Sequence, residues 1–490
     1  MESRDNPTWG QGYLCGLAER MDGVLRLHKK LCRGMSEETI HDLRVSIRRC
    51  RSIAAGMREV DPDPTWKFMS KAGKELFKPL GQIRDIHVMR KWLRKLFSDN
   101  KPALRPLLEV LKQEERLERK SVRTAAKQFD RSLWRKWSKS LPERLKNPSV
   151  TQPVFESVAL KRWAEALQCH RKALRTGKLD DYHQLRIHIK RFRYTVENFL
   201  PIHYERWGKN LEQLQDILGE VHDFQVLQGY LERPEACLLD AQKDRMQKRV
   251  ETEIQSRLKI YRDATCNSHS LWTLWRNELP KGQSLRESCL AKLKTWAAGL
   301  DPDPVQTGQV VNLALKLLEI FQQTLPVGSL RPLTQKQILM AAAWLHRVRR
   351  DKSPDGSPKQ SARLIRKMSS PYGWSRKRIG QVASVVRYHQ GEKVFRLCSA
   401  ETPSVTAEQQ SILFLAGLLR LARSFQSYLV PGEKALPMEI EDSPDRIILK
   451  VILPREEIIR SEEVIQARLH LEAVLGKPFD IVLTGKWNKE

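Results

Sequence analysis

From about residue 10 to residue 290 the apolar positions fall three and four apart, strand-like alternation is scarce, and Pro or Gly punctuates segments of helical length. This spacing predicts an all-α region. Between about 291 and 430 the amphipathic runs LTQKQILMAAAWLHRV, SRKRIGQVASVVRYHQG and AEQQSILFLAGLLRLARSF continue the helical pattern. They are interrupted by RRDKSPDGSPKQ, whose Pro, Gly and charge predict an exposed loop. After YLVPGEKALP the period changes. RIILKVIL at 446–453 and FDIVL at 479–483 read as strands and SEEVIQARLHLEAVL between them as a helix, so a small β-α-β tail is expected over 431–490. The expected fold is mainly all-α, in three divisions: 1–290, 291–430 and 431–490.

The first division carries a duplication. HDLRVSIRRCR at 41–51 and HQLRIHIKRFR at 183–193 set His, Arg, Arg or Lys, and Arg at identical offsets, and FKPLGQIRDIHVM at 77–89 matches DILGEVHDFQVL at 216–227. The histidines that open the two ladders stand 142 residues apart and the Leu-Gly pairs 138 apart, so two linked features repeat with a four-residue slip. That unit is far longer than a solenoid repeat. Two such units, about 1–145 and 146–290, most simply form two helical bundles facing each other across a pseudo-twofold axis.

On a helix turning 100° per residue, offsets 0, 3, 7 and 10 span an arc of roughly 80°. His41, Arg44, Arg48 and Arg51 therefore share one face, as do His183, Arg186, Lys190 and Arg193, while Ile40, Leu43, Ile47 and Ala54, and Leu185, Ile189 and Phe192, form the adjoining core stripes. Cations stacked one turn apart with no interleaved acid repel one another unless an anion neutralises them. That anion is either a ligand or an internal carboxylate such as Asp85 or Asp223. A rise of about 1.5 Å per residue spreads each ladder over roughly 15 Å, too long for one phosphate and suited to a chain of several. Arginine predominates, as expected where its planar fork grips phosphate oxygens. Arg49 and Arg191 sit off the main stripe. Lys71, Lys74 and Lys78 follow helical spacing nearby, with Arg84 beyond them, and Lys71 has a basic counterpart at Lys209. No nucleophile or carboxylate–histidine cluster lies in sequence beside His41 or His183, which points to hydrogen-bond donation or helix capping rather than catalysis.

Composition narrows the ligand class. Lys and Arg number 87 against 58 Asp and Glu, a formal charge of +29, and residues 1–200 carry 44 of those basic residues but only 24 of the acidic ones. A surplus this one-sided points to an anionic partner. The eight cysteines form no CxxC pair and no ligand-like spacing with His, as expected of reduced intracellular thiols. The N-terminus lacks the basic start and apolar core of a signal peptide, and no run of 18 apolar residues occurs, so a cytoplasmic protein with no membrane partner and no cofactor is expected.

The duplicated HxLRxxx(R/K)RxR helix followed by LG-x-x-x-D resembles the CHAD family, the conserved histidine α-helical domain, over roughly residues 10–290. The resemblance implies paired antiparallel four-helix bundles with pseudo-twofold symmetry whose basic faces line a groove that binds inorganic polyphosphate. The ligand-facing set it implies is His41, Arg44, Arg48, Arg51, His183, Arg186, Lys190 and Arg193. Residence on polyphosphate granules, and enzymes of polyphosphate metabolism as partners, are expected from the paired ladders taken together with a second resemblance, over 291–430.

The segment over 291–430 resembles the HD-like C-terminal domain of the exopolyphosphatase and guanosine pentaphosphate phosphohydrolase family. A metal-dependent HD site needs a His-Asp pair and further His and Asp ligands. Here Arg347 follows His346, Arg423 stands where the family has an acid, and only His346 and His389 remain as candidate ligands. Arg347, Arg349, Arg350, Lys352, Lys359, Arg363 and Arg366 read either as an extended polyphosphate track or as a solvated surface. The ExExK signature of triphosphate-tunnel enzymes is absent: the nearest string, Glu439 to Ser443, lacks its lysine.

Three functions compete at this level. The first is non-catalytic polyphosphate binding for granule targeting or scaffolding. The second is a phosphohydrolase, or its regulator, using the HD-like region. The third, nucleic-acid binding, is disfavoured because single-strand readers interleave aromatic platforms with cations and the stretch from His41 to Arg51 holds none.

Overall fold

The computed structural model describes residues 11–98, 101–236, 238–267, 270–324, 330–349, 357–391, 406–428, 436–453 and 456–484. The chain divides into two compact units, Met1–Lys292 and Leu293–Glu490.

In the first unit, α1 (Gln11–Arg33) is followed by α2 (Glu37–Met57), which carries the first ladder. Ser36 caps α2 by accepting from the Thr39 N–H, and Glu37 and Glu38 place negative charge in its first turn, where the helix dipole favours it. The apolar stripe of Ile40, Leu43, Ile47, Cys50 and Ala54 is fully buried. α3 (Thr65–Leu96), α4 (Lys101–Gln128) and α5 (Arg131–Leu145) complete the first half, with α2 packed between α1 and α3, α4 on α3, and α5 closing against α1.

The second half repeats this order. α6 (Gln152–Thr176) ends in Gly177, whose φ of 66° reverses the chain directly into α7 (Leu179–Phe199). α7 carries the second ladder and buries Leu185, Ile189, Phe192 and Val196. α8 (Pro201–Leu231) packs on α7, α9 (Asp240–Thr265) packs on α8, and the short α10 (Leu271–Glu278) touches α6 and α9. α1–α4 and α6–α9 are thus two four-helix bundles, joined where α2 meets α7.

Reciprocal bonds tie that junction. Arg20 of α1 donates to Asn198 of α7 at 2.9 Å, and Arg162 of α6 donates to the Ala55 carbonyl of α2 at 2.8 Å. Asn198 donates in turn to Ser52 at 3.0 Å. At Gly56 the approach is close enough that a Cβ would overlap the Phe199 ring, so only glycine lets α2 and α7 meet there. This holds the two ladder helices face to face.

α11 (Gly282–Ala298) runs through the boundary into the second unit, which contains α12 (Pro304–Thr324), α13 (Pro332–Leu345), α14 (Pro358–Lys367), α15 (Arg376–Tyr388) and α16 (Ala407–Gln426). α16 packs on α12, α13 and α15. Two sequence expectations change here. The end of the expected loop RRDKSPDGSPKQ is helical: Ser357 caps α14 by accepting from the Lys359 N–H, and Pro358 occupies its first turn, where a missing N–H does no harm. The tail has one strand more than the β-α-β expected. β2 (Ile447–Val451) and β3 (Phe479–Leu483) pair in parallel through α17 (Glu462–Leu475), and β1 (Met438–Asp442) adds antiparallel to β2, giving the order β1-β2-β3. Its acidic MEIED sequence, with Glu439, Glu441 and Asp442 exposed, suits an edge and hides it from a hydrophobic-pattern search. Among the described residues no helix is long and apolar enough to cross a membrane.

Candidate anion-binding site

The junction of α2 and α7 gathers cations from both halves. Lys190 of α7 is driven down to about 7 by burial, then by Arg186 on its own helix and by Arg48 and Arg44 from α2, with Asp223 opposing. Arg44 is lowered by burial, and Arg48, Arg84 and Arg186 push it further down while Asp85 works against them. Arg186 and Arg51 are also lowered by burial. The two ladders therefore share one electrostatic site, in which desolvation and neighbouring cations disfavour the charged forms of Lys190 and Arg44.

Neighbouring helices shape the site. Phe77 of α3 lies under two guanidinium groups, Arg44 at 4.9 Å and Arg51 at 5.0 Å, and Tyr194 of α7 lies under Arg48 at 5.8 Å and Arg193 at 5.7 Å. These cation–π contacts hold the planar forks in place. At the Leu-Gly pairs a ladder arginine lies against the facing helix: a Cβ on Gly81 would stand 3.6 Å from Arg44 Nε, and one on Gly219 would stand 3.8 Å from Arg186 Nε, both ordinary contact distances. Among the described residues the Nε atoms of Arg44, Arg48, Arg51 and Arg186 are buried without a hydrogen-bond partner.

One turn beyond each glycine stands an acid, Asp85 on α3 and Asp223 on α8. Burial raises Asp223 to about 6 despite Arg186, a hydrogen bond from Trp92 Nε1 at 3.5 Å, and Lys190. Asp85 is likewise raised by burial against Arg44, Arg186 and Lys190. It is nevertheless exposed to solvent, so water reaches it although protein crowds it. Both acids act electrostatically on the ladder cations, yet among the described residues no salt bridge joins an acid to Arg44, Arg48, Arg51, Arg186 or Lys190.

The ladder histidines are both shifted towards the neutral form. His41 is lowered by burial and then by Arg84, and His183 by burial and then by Arg186 and Lys190. His183 Nδ1 lies 3.1 Å from His222 Nδ1, and His222 is pushed down to about 4 by burial, Arg186 and His183. At the 138-residue offset His222 corresponds to Arg84, so each ladder histidine meets the same position of the other repeat element.

The remaining predicted residues divide. Arg193 is held by acids: its Nη2 lies 2.7 Å from Glu212 and 3.7 Å from Glu197, and although burial opposes its charge, Tyr204, Glu197 and Glu212 raise its pKa overall. Arg84 pairs with Glu37 at 3.2 Å. Arg49, Arg191, Lys71, Lys74, Lys78 and Lys209 are exposed on α2, α7, α3 and α8, and none of them is among the charges that act most strongly on Lys190 or Arg44. Sequence reasoning missed Phe77, Tyr194, Trp92 and His222. Phe77 and His222 lie inside the quoted repeat segments, and alignment of those segments against the ladders was the signal that could have found them.

The first unit is thus a duplicated pair of helical bundles with cations converging from both halves. Residues 16–232 match the model of the CHAD domain, a family linked to polyphosphate. The match begins within α1 and ends after α8, shorter than the span of about 10–290 expected from the repeats, so α9 and α10 lie beyond it. No curated protein matches the chain.

The second unit was expected to retain only His346 and His389 of an HD-type metal site. The two rings lie 5.7 Å apart, at the ends of α13 and α15. His346 Nδ1 donates to the Ala343 carbonyl at 2.7 Å and His389 Nδ1 to the Val386 carbonyl at 2.6 Å, which fixes each Nε2 as the lone-pair nitrogen. That suits metal ligation, but the surrounding charges do not. Arg347 and Arg423 lower His346 further, and among the described residues no group of three His, Cys, Asp or Glu side chains gathers for a metal. Arg350 and Lys352 lie outside the described residues.

Proposed function

We propose that a trough between α2 and α7 binds inorganic polyphosphate without chemical conversion, and that the protein uses it to attach to polyphosphate granules or to organise enzymes of polyphosphate metabolism on them. The observation that carries this reading is the convergence of Arg44, Arg48, Arg186 and Lys190 with no salt-bridged acid among the described residues. A flexible inorganic chain relieves their mutual repulsion and reaches the exposed lysines of α3 and α8. Nucleic acid fits less well: Phe77 and Tyr194 are already covered by guanidinium groups, so they are poor platforms for bases. The second unit is read as a degenerate HD-like domain, and no hydrolytic step is assigned to it.

The test is an affinity measurement with long-chain polyphosphate, single-stranded RNA and duplex DNA at two salt concentrations, on the native chain and on Arg44→Glu combined with Arg186→Glu. Polyphosphate should bind tightest at equal phosphate concentration, weaken steeply with salt, and lose about a hundredfold or more in the double variant. Unchanged affinity in that variant, or displacement of polyphosphate by nucleic acid, overturns the assignment.

A further inference from the structure

The cavity beside His346 and His389 has a chemistry of its own. It encloses about 270 Å³ and is lined by Gln306, His346, Arg347, Arg349, His389 and Arg423, among others, and among the described residues that line it none is acidic. Arg347 is oriented by donating to Gln306 at 2.8 Å. Given that a water's share of liquid is about 30 Å³, the space suits one small tetrahedral ion with its waters. His346 is only 3 % exposed, and its Nε2 is buried with no partner. Because Nδ1 must donate to the Ala343 carbonyl, Nε2 is left with its lone pair, and Arg423 and Arg347 are the charges that act on the ring. A metal would meet that lone pair but also the arginines. A fully deprotonated anion would meet the arginines but be repelled by the lone pair.

We propose that this cavity binds a tetrahedral oxyanion that still carries a proton, inorganic hydrogen phosphate, with Arg347 and Arg349 facing its charge and its P–OH donating to His346 Nε2. The assignment goes beyond the trough and stands without it. Burial, Arg423 and Arg347 hold His346 down to about 3, so Nε2 remains an acceptor throughout the neutral range. Inorganic phosphate keeps at least one P–OH at neutral pH, whereas sulfate has none and a phosphomonoester loses its own above a second pKa of about 6. The pocket should therefore discriminate among ions of nearly equal size. An adjoining cavity of about 260 Å³ shares Arg423 but is lined also by Glu462 and Glu463, which makes it the poorer place for an anion.

The experiment is calorimetric titration of the full chain bearing Arg44→Glu and Arg186→Glu, which removes the trough's contribution, with inorganic phosphate, sulfate and methyl phosphate at pH 8 and constant ionic strength. One saturable phosphate site is expected, with sulfate and methyl phosphate about tenfold weaker or more, as the loss of a hydrogen bond to a charged group implies. Arg347→Ala with Arg349→Ala, at half-buried positions, should weaken phosphate about tenfold, and His346→Phe should bring phosphate and sulfate to nearly equal affinity. Absence of a saturable site, sulfate binding as tight as phosphate, or phosphate binding that survives the Arg347 and Arg349 changes overturns the proposal. Polyphosphate binding by the unaltered trough is measured separately, so the two readings fail independently.

Discussion

Arg51 and Arg193 occupy the same rung of the two ladders, yet Arg51 lies across the Phe77 ring with no salt bridge among the described residues, whereas Arg193 is held by Glu197 and Glu212. At the ladder offset Glu197 corresponds to Ala55, and at the offset of the following helix Glu212 corresponds to Lys74. Two substitutions at the periphery thus separate an open cationic rung from a self-neutralised one. Where α2 meets α7 the halves agree: Arg44 and Arg186, Gly81 and Gly219, and Asp85 and Asp223 occupy matching places. The comparison teaches that the duplication kept its charge layout where the ladders face each other and diverged where each ladder runs outward.

Exchanging the divergent pair breaks the comparison most directly. Lys74→Glu should weaken polyphosphate binding about tenfold and Glu212→Lys should tighten it by a similar factor, because each change moves the local field by two charges. Arg51→Ala should cost more affinity than Arg193→Ala, while Arg193→Ala should cost about 1 kcal/mol of stability through its lost ion pairs. Binding isotherms at fixed salt and thermal melts read both effects. Equal affinity losses at Arg51 and Arg193 would remove the asymmetry from the binding account.

The duplication, the helical architecture and the cation spacing were readable because each is a periodicity within a single segment. The partners of those cations were not, since ladder spacing says nothing about which acids approach from other helices. Asp85 and Asp223 carry the sequence signature of counter-ions, yet packing leaves both raised rather than depressed. Glu212 looked like an ordinary surface acid on α8, but it reaches Arg193 because α7 and α8 pack together. Phe77 was hidden for a similar reason: its role arises only when α3 lies beside α2. β1 escaped because an acidic edge strand lacks a clear apolar alternation.

A smaller effect follows from the rung that holds Arg48 in one half and Lys190 in the other. Lys190 sits near 7, so it is largely uncharged at pH 8 and charged at pH 6, and a bound polyanion favours the charged form. Protons are taken up on binding, and affinity should rise by up to about tenfold as pH falls from 8 to 6, the limit for one titrating group in that window. Lys190→Arg should reduce the slope to the part that Asp223, near 6, contributes, because arginine stays charged. The empty fold responds in the opposite sense. An unfolded lysine keeps its proton to about 10.4, so the depressed folded value makes Lys190 stabilise the ligand-free protein progressively as pH rises from about 7 towards that value. A pH-independent affinity in the native chain, or an undiminished slope in Lys190→Arg, contradicts this role.

The smallest effect tests the region where the halves agree. Alanine at Gly81 or Gly219 would place its Cβ at ordinary contact distance from the facing arginine, 3.6 Å and 3.8 Å, so binding should change by less than about twofold. Alanine should also stabilise each helix interior by up to about 1 kcal/mol. Leucine is different: its branched end must occupy the space of the Arg44 or Arg186 guanidinium, moving a central cation and lowering affinity several-fold. The two leucine variants should lose affinity to the same extent, in contrast to the unequal rungs at Arg51 and Arg193. Should Gly81→Leu weaken binding while Gly219→Leu leaves it unchanged, the ligand is held by the first half alone, and the symmetry of the inner positions is a relic of duplication rather than part of the grip.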